Sequence, residues 1–227
     1  HETMIRRIAP YSLRGFLYYQ GEEDVQRYAD YSDMMLMLVK QWRMDWNDWN
    51  LPFLFVQLPM YLADGEKDDS YWALQREQQY IASMMIQNAG MISLADCGEY
   101  DNIHPLDKKT PGERLFQLAK NLVYDKQGTI TATAAQLFSD DGKLYVTFDH
   151  LHEKLVMQTA NGCPFEISGE DNLFYPAKAD VIHGNMLCIS NPAVKFPSAV
   201  KYAWYNFGEA VLFTESGNPV SPFFKCV

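Results

Sequence analysis

The chain is 227 residues long, 48% hydrophobic and 21% charged, which is ordinary globular usage and excludes a disordered or fibrous chain. At roughly 100–200 residues per domain it holds one large domain or two small ones. Its 19 Lys and Arg against 29 Asp and Glu give a net charge of −10, which argues against nucleic acid as a partner, and no apolar run reaches the roughly 18–20 residues of a membrane helix.

The chain opens HETMIRRIAP, with neither an initiator Met nor the layout of a signal peptide, so a processed product or a piece of a longer polypeptide is expected. Residues 15–20 form a short apolar run that stops at Gly21, as a buried strand does. Residues 22–46 place Val25, Tyr28, Met35, Leu38, Val39 and Trp42 at three- and four-residue steps, which predicts one amphipathic helix. Glu22, Glu23 and Asp24 load its first turn with the favourable charge. A second buried strand, residues 52–59, is bracketed by prolines, and a charged loop follows at 64–69. Residues 71–88 read as a helix, 91–95 as a third strand, and 111–124 as a helix with Pro111 near its first position. This strand–helix alternation predicts a parallel sheet with helices on its faces.

From about residue 127 the texture changes. Nine of the eleven Met and four of the five Trp precede it. Afterwards come short alternating runs (KLYVTFD, FEIS, DVIHGNMLCIS, AVKYAWYNF) punctuated by Gly, Asn, Asp and Pro, which predict an antiparallel, sandwich-like β-region. Residues 1–126 and 127–227 are the expected domains. Cys97, Cys163, Cys188 and Cys226 contain no CxxC, and a core of this size needs no staples, so free thiols are expected.

Two segments carry candidate chemistry. The first is Asp96 to Pro105, directly after the third strand, where parallel sheets bind ligands. An Asp three residues before a His, Asp101 and His104, can steer one imidazole nitrogen and leave the other to act as a base. The bland reading is a solvated loop. The second is Tyr18–Tyr19–Gln20–Gly21–Glu22, at the end of the first strand. Gly21 permits a close turn, and Gln20 can donate an amide N–H to an oxyanion. Its bland reading is a plain strand-to-helix turn.

Lesser features read more simply. Trp42, Trp46 and Trp49, with Met44, suit core packing better than a sugar platform. Tyr61 and Tyr71 flank the charged loop, which forms either a rim or plain surface. His150 and His152 suit an exposed turn better than a metal, His183 a hairpin turn, and the Asp96, Glu99, Asp101 cluster is a weak cation candidate.

Taken together, the two segments join an ordered series: Y-Q-G-E at 19–22, W-R at 42–43, P-F-L-F-V-Q-L at 52–58, R-E-x-Q at 76–79 and D-N-I-H-P at 101–105. The series resembles the sialate O-acetylesterase family of SGNH/GDSL hydrolases, and the likeness continues through K-Y-A-W at 201–204 and P-V-S-P-F at 219–223. It spans nearly the whole chain. The resemblance implies an α/β fold, with a flavodoxin-like SGNH parallel sheet followed by the β-rich region. It also implies a serine esterase that cleaves acetyl esters on acetylated carbohydrate, with no cofactor and no metal, in a secreted or periplasmic setting. In that frame His104 is the base, Asp101 its partner, Glu22 a second candidate acid, and Gln20 with Gly21 the oxyanion hole.

Two departures stand out. Glu23–Asp24 replaces the family's Ser-Asn after the Q-G-E, which is expected to alter local hydrogen bonding. The family's nucleophile block (G-Q-S-N-M-like) occurs nowhere in the chain, and the opening resembles the stretch just before the Q-G-E strand. The chain therefore reads as the C-terminal part of a longer esterase, with sheet strands and the serine supplied by an N-terminal segment as partner. Without that segment, activity is expected to be weak or absent. The rival readings are a non-catalytic carbohydrate-binding or structural piece, and a metal-dependent hydrolase built on Asp96, Glu99, Asp101 and His104.

Overall fold

A computed structural model describes residues 1–9, 11–159 and 161–227. The chain forms two compact units: His1–Leu58, Leu74–Ile92 and Pro105–Ile130 in the first, and Pro59–Ala73, Ser93–His104 and Thr131–Val227 in the second. Sequence texture changes near residue 127, whereas compactness divides the chain at Ile130 and sends two earlier loops, Pro59–Ala73 and Ser93–His104, to the second unit.

The first unit opens with a four-residue helix, α1 (Ile5–Ile8), too short to carry a sequence signal. Its sheet has the order β1 (Phe16–Tyr18), β2 (Phe53–Gln57), β3 (Ala89–Ser93). β1 and β2 run parallel, with Phe16 opposite Phe53 and Tyr18 opposite Phe55. All five β2 residues are buried, as expected of a central strand covered on both faces. Helices α2 (Tyr31–Asp45), α3 (Tyr71–Met85) and α4 (Lys109–Leu122) connect or follow the strands. Tyr31, Met35 and Val39 from α2, Ala82 from α3, Ile86 just beyond it, and Phe53, Phe55 and Met91 from the strands make one core. Trp42 packs against this core, 5.1 Å from the Phe16 ring; Trp46 touches the same ring at 5.1 Å but is only half-buried, and Trp49 is exposed.

Three boundaries differ from the sequence reading. The expected single helix 22–46 is a 3-10 segment, Glu22–Asp30, followed by α2, and Arg27 within the first is non-helical (φ −125°, ψ 28°). Within that segment the Asp24 carboxylate accepts from Gln20 Nε2 at 2.7 Å and from Arg27 Nη2 at 3.0 Å. α4 starts two residues before Pro111, because Asp107 Oδ1 accepts from the Lys109 and Thr110 N–H groups. β3 starts at Ala89, straight after the left-handed Asn88 (φ 54°), and the apolar Leu94–Ala95 pair lies beyond its end.

The second unit is antiparallel. Its strands are β4 (Thr133–Asp140), β5 (Lys143–Asp149), β6 (Leu155–Met157), β7 (Phe165–Ser168), β8 (Tyr175–Pro176), β9 (Lys178–Ile182), β10 (Met186–Ser190), β11 (Ala199–Tyr202), β12 (Leu212–Thr214) and β13 (Phe223–Cys226). They form sheets β4-β5-β10-β9, β13-β11-β7-β8 and β12-β6. Asp141 and Gly142, both at positive φ, turn β4 into β5, the dipeptide such hairpins favour. His183 and Gly184 do the same between β9 and β10. Alternate residues point inward: Leu144 and Val146, Leu187 and Ile189, Ile167, and Val200 with Tyr202 all belong to one core. None of the four cysteines forms a disulfide. No described helix is long and apolar enough to cross a membrane.

Candidate functional site

Gln20, Gly21 and Glu22 lie in the first unit, at the carboxyl end of β1. The Gln20 carbonyl is held by the Tyr31 hydroxyl at 2.9 Å and by Gln79 Nε2 at 3.4 Å. Gln79, fully buried on α3, also accepts from the Leu58 N–H at 2.8 Å and donates to the Val56 carbonyl at 3.2 Å. One amide thereby ties the ends of β1 and β2 together. Burial pushes the Tyr31 phenol well above its ordinary value, with Asp24 and Glu22 adding to the rise, so it stays a neutral donor to Gln20.

Gly21 adopts φ 144°, ψ −10°, a conformation that L side chains rarely adopt. A Cβ there would sit 3.1 Å from Tyr31 Oη, Gln79 Nε2 and Gln75 Nε2. Gln75 is fully buried, and neither of its amide atoms has a hydrogen-bond partner among the described residues. The Gln20 side chain accepts from the Tyr18 hydroxyl at 2.9 Å and donates to Asp24, where the family pattern has Asn. One Gln20 N–H is committed to Asp24, and the amide has a second. Glu22 is partly buried, and no hydrogen bond joins it to a described residue.

Asp101 and His104 lie in the second unit, on the loop after β3. That loop runs against the segment after β2. Gly98 passes so close to Met60 that a Cβ would fall 1.9 Å from its carbonyl oxygen. Asp101, itself left-handed (φ 57°), donates its N–H to the Leu62 carbonyl at 2.9 Å and accepts the Asp64 N–H on Oδ1 at 2.9 Å. The Tyr100 hydroxyl donates to Asp64 Oδ1 at 3.1 Å. Asn102 closes the loop: its Oδ1 accepts the His104 N–H at 3.1 Å, and its amide donates to Glu99 Oε2 at 2.7 Å.

The His104 side chain is exposed and makes no hydrogen bond to a described residue. Asp101 and His104 thus share a short loop, without a bond between carboxylate and imidazole. Among the described residues no three His, Cys, Asp or Glu side chains converge on one ion position. Asp96, Glu99, Asp101 and His104 therefore offer no ligand set, and His150 and His152 belong to no such group.

The W-R motif is structural. Arg43, buried, donates to the Leu51 carbonyl at 2.9 Å and the Gln87 carbonyl at 2.6 Å, and burial lowers its pKa. Sequence reasoning missed the grip of Tyr31 and Gln79 on Gln20. The only signal for it was Gln79 standing in the R-E-x-Q motif.

Residues 1–121 match the family described as carbohydrate esterase, sialic acid-specific acetylesterase. Sialate O-acetylesterase of Mus musculus is 26% identical over 251 residues, covering 97% of this chain and 46% of its own length. The Homo sapiens protein of that name is 25% identical over 186 residues, covering 73% of this chain and 35% of its own. A crystal structure of a carbohydrate acetylesterase from Xanthomonas citri superposes with TM-score 0.88 at 32% identity, over 96% of this chain and 51% of that one. The chain spans about half the length of the mouse and Xanthomonas relatives.

Proposed function

We propose, since this chain belongs to the sialic acid-specific acetylesterase family of carbohydrate esterases, that it is part of an enzyme hydrolysing acetyl esters on sugar hydroxyls by a serine mechanism. The observation that carries the reading is the family match over residues 1–121, which contains Gln20, Gly21, Glu22, Asp101 and His104 together.

In this mechanism a serine Oγ attacks the acetyl carbonyl carbon, and His104 takes its proton. Asp101 orients the imidazole, with Glu22 as the second candidate for that task. The free N–H of Gln20 and backbone N–H groups about Gly21 hold the developing oxyanion. Collapse of the tetrahedral intermediate expels the sugar oxygen, which His104 protonates, and water then releases acetate by the same route.

The nucleophilic serine and further strands of a flavodoxin-like SGNH sheet come, in this reading, from a segment N-terminal to these residues. The coverage of about half of the mouse and Xanthomonas relatives supports that, as does the missing nucleophile block. A secreted or periplasmic setting goes with the family.

One observation favours the rival, a non-catalytic carbohydrate-binding piece: Asp101 Oδ1 is bonded to Asp64 and not to His104. Catalytic hydrogen bonds often form only with substrate in place, so this geometry does not overturn the catalytic reading. The deciding experiment compares p-nitrophenyl acetate hydrolysis by the full-length protein and its His104→Ala variant. A loss of at least about 10³-fold is expected. Equal rates would remove His104 as the base and favour the rival.

A further inference from the structure

Asn206 lies in the β-rich second unit, just after β11, and is 3% exposed. Every polar group it has, backbone and side chain, is spent on one segment of chain more than a hundred residues earlier. Its carbonyl accepts the Tyr61 N–H at 2.8 Å, and its N–H donates to Asp68 Oδ2 at 2.7 Å. Its amide nitrogen donates to Asp69 Oδ1 at 2.9 Å, and its amide oxygen accepts the Trp72 N–H at 3.0 Å. Tyr61 precedes the charged loop and Trp72 follows it in the first turn of α3, and their rings meet at 5.0 Å. A single residue therefore closes the loop at its base.

That loop is what holds the Asp101 carboxylate. Leu62 and Asp64, one and three residues beyond Tyr61, make the two hydrogen bonds that fix Asp101 in its left-handed conformation. Phe207, next to Asn206, packs edge-on against Tyr100, the residue before Asp101, at 5.7 Å.

We propose that Asn206 is a positioning residue for the reaction: it sets the Asp101 carboxylate by closing the loop that bonds it. This rests on the proposed role of Asp101 as the partner of His104. Asn206 itself touches no reacting atom in this scheme.

The test is a double-mutant cycle on the full-length enzyme, with acetyl-ester hydrolysis as readout. Asn206→Ala is expected to lower kcat about 10²-fold, the loss typical of a misplacement near 1 Å, with KM shifted by less than about threefold. Asp69→Ala, on the exposed side of the clamp, is expected to lower kcat in the same sense and serves where Asn206→Ala does not fold. In the Asp101→Ala background neither substitution should slow the enzyme further, because a positioning residue has nothing left to position. A purely structural role gives multiplied losses, which would overturn the proposal. So would a raised KM with kcat unchanged. If Asp101→Ala is itself fully active, the role of Asp101 fails and this inference falls with it. If Asp101→Ala is impaired while Asn206→Ala and Asp69→Ala are not, only the inference fails.

Discussion

Substituting Gly21 by Ala probes the turn that carries the candidate oxyanion donor. The backbone at φ 144° lies in a region that costs an L residue about 1–3 kcal/mol. The new Cβ also sits 3.1 Å from three polar atoms, closer than ordinary carbon contacts. Two of them, Tyr31 Oη and Gln79 Nε2, hold the Gln20 carbonyl, and moving either forfeits a hydrogen bond worth about 0.5–1.5 kcal/mol. The expected destabilisation is therefore about 2–4 kcal/mol. Urea denaturation followed by fluorescence measures it as a lower midpoint at unchanged slope. Two controls separate the contributions. Gly65 has φ 77°, and a Cβ added there would meet nothing within 4 Å, so its Ala variant carries backbone strain alone, about 1–2 kcal/mol. Gly112, in the first turn of α4 with open space around it, should gain about 0.5–1 kcal/mol on becoming Ala. If Gly21→Ala costs no more than Gly65→Ala, crowding by Tyr31 and Gln79 plays no part, and the grip on Gln20 described above is wrong.

Gln75→Met keeps the shape of a buried amide that has no hydrogen-bond partner among the described residues, and should stabilise the fold by about 1–3 kcal/mol in the same denaturation assay; a loss would show that the amide is satisfied. Tyr202→Phe leaves the Val211 and Leu212 N–H groups, bonded to the phenol at 3.1 and 2.8 Å, without an acceptor, at a cost of at least about 2 kcal/mol in that assay. Alkaline pH should weaken the fold through Tyr31 and Tyr202, both pushed up by burial. The unfolded chain ionises them from about pH 10, the folded chain only higher, so stability is complete below pH 10 and declines as pH rises above it. Tyr31→Phe should flatten that decline between about pH 9 and pH 11, and an unchanged slope would refute its part.

The sheet of the first unit was legible because its strands are continuous apolar runs, with β2 bracketed by Pro52 and Pro59 and buried along its whole length. The antiparallel second half was legible from period-two runs and from Asp141–Gly142. What could not be read leaves no mark on the apolar spacing. The non-helical Arg27 interrupts a stretch whose apolar spacing is unbroken. Asp107 starts α4 ahead of the proline that marks its start in the sequence. The order β4-β5-β10-β9 depends on pairing between strands about forty residues apart, which local periodicity does not encode. Of the candidate residues, the motif order located Gln20, Asp101 and His104, yet it carried no information on what orients them.

A buried amide from far along the chain holds the Gln20 carbonyl, and another holds the loop that bonds Asp101. Gln79 reaches Gln20 across 59 residues, and the Asn206 amide reaches Asp69 across 137. Buried amides are a poor means of adding stability, because each of their bonds replaces one to water and nets about 1 kcal/mol. They are a good means of specifying geometry, because a displaced partner leaves an orphaned group in a site that water does not fill. An apolar residue at either position could pack as well, but could not fix a carbonyl or a loop end in place by directed bonds. Gln79 and Asn206 are thus best understood as setting position, one in each compact unit, while Arg43, with its two bonds to loop carbonyls, does the same for the opposite end of β2 without touching the candidate chemistry.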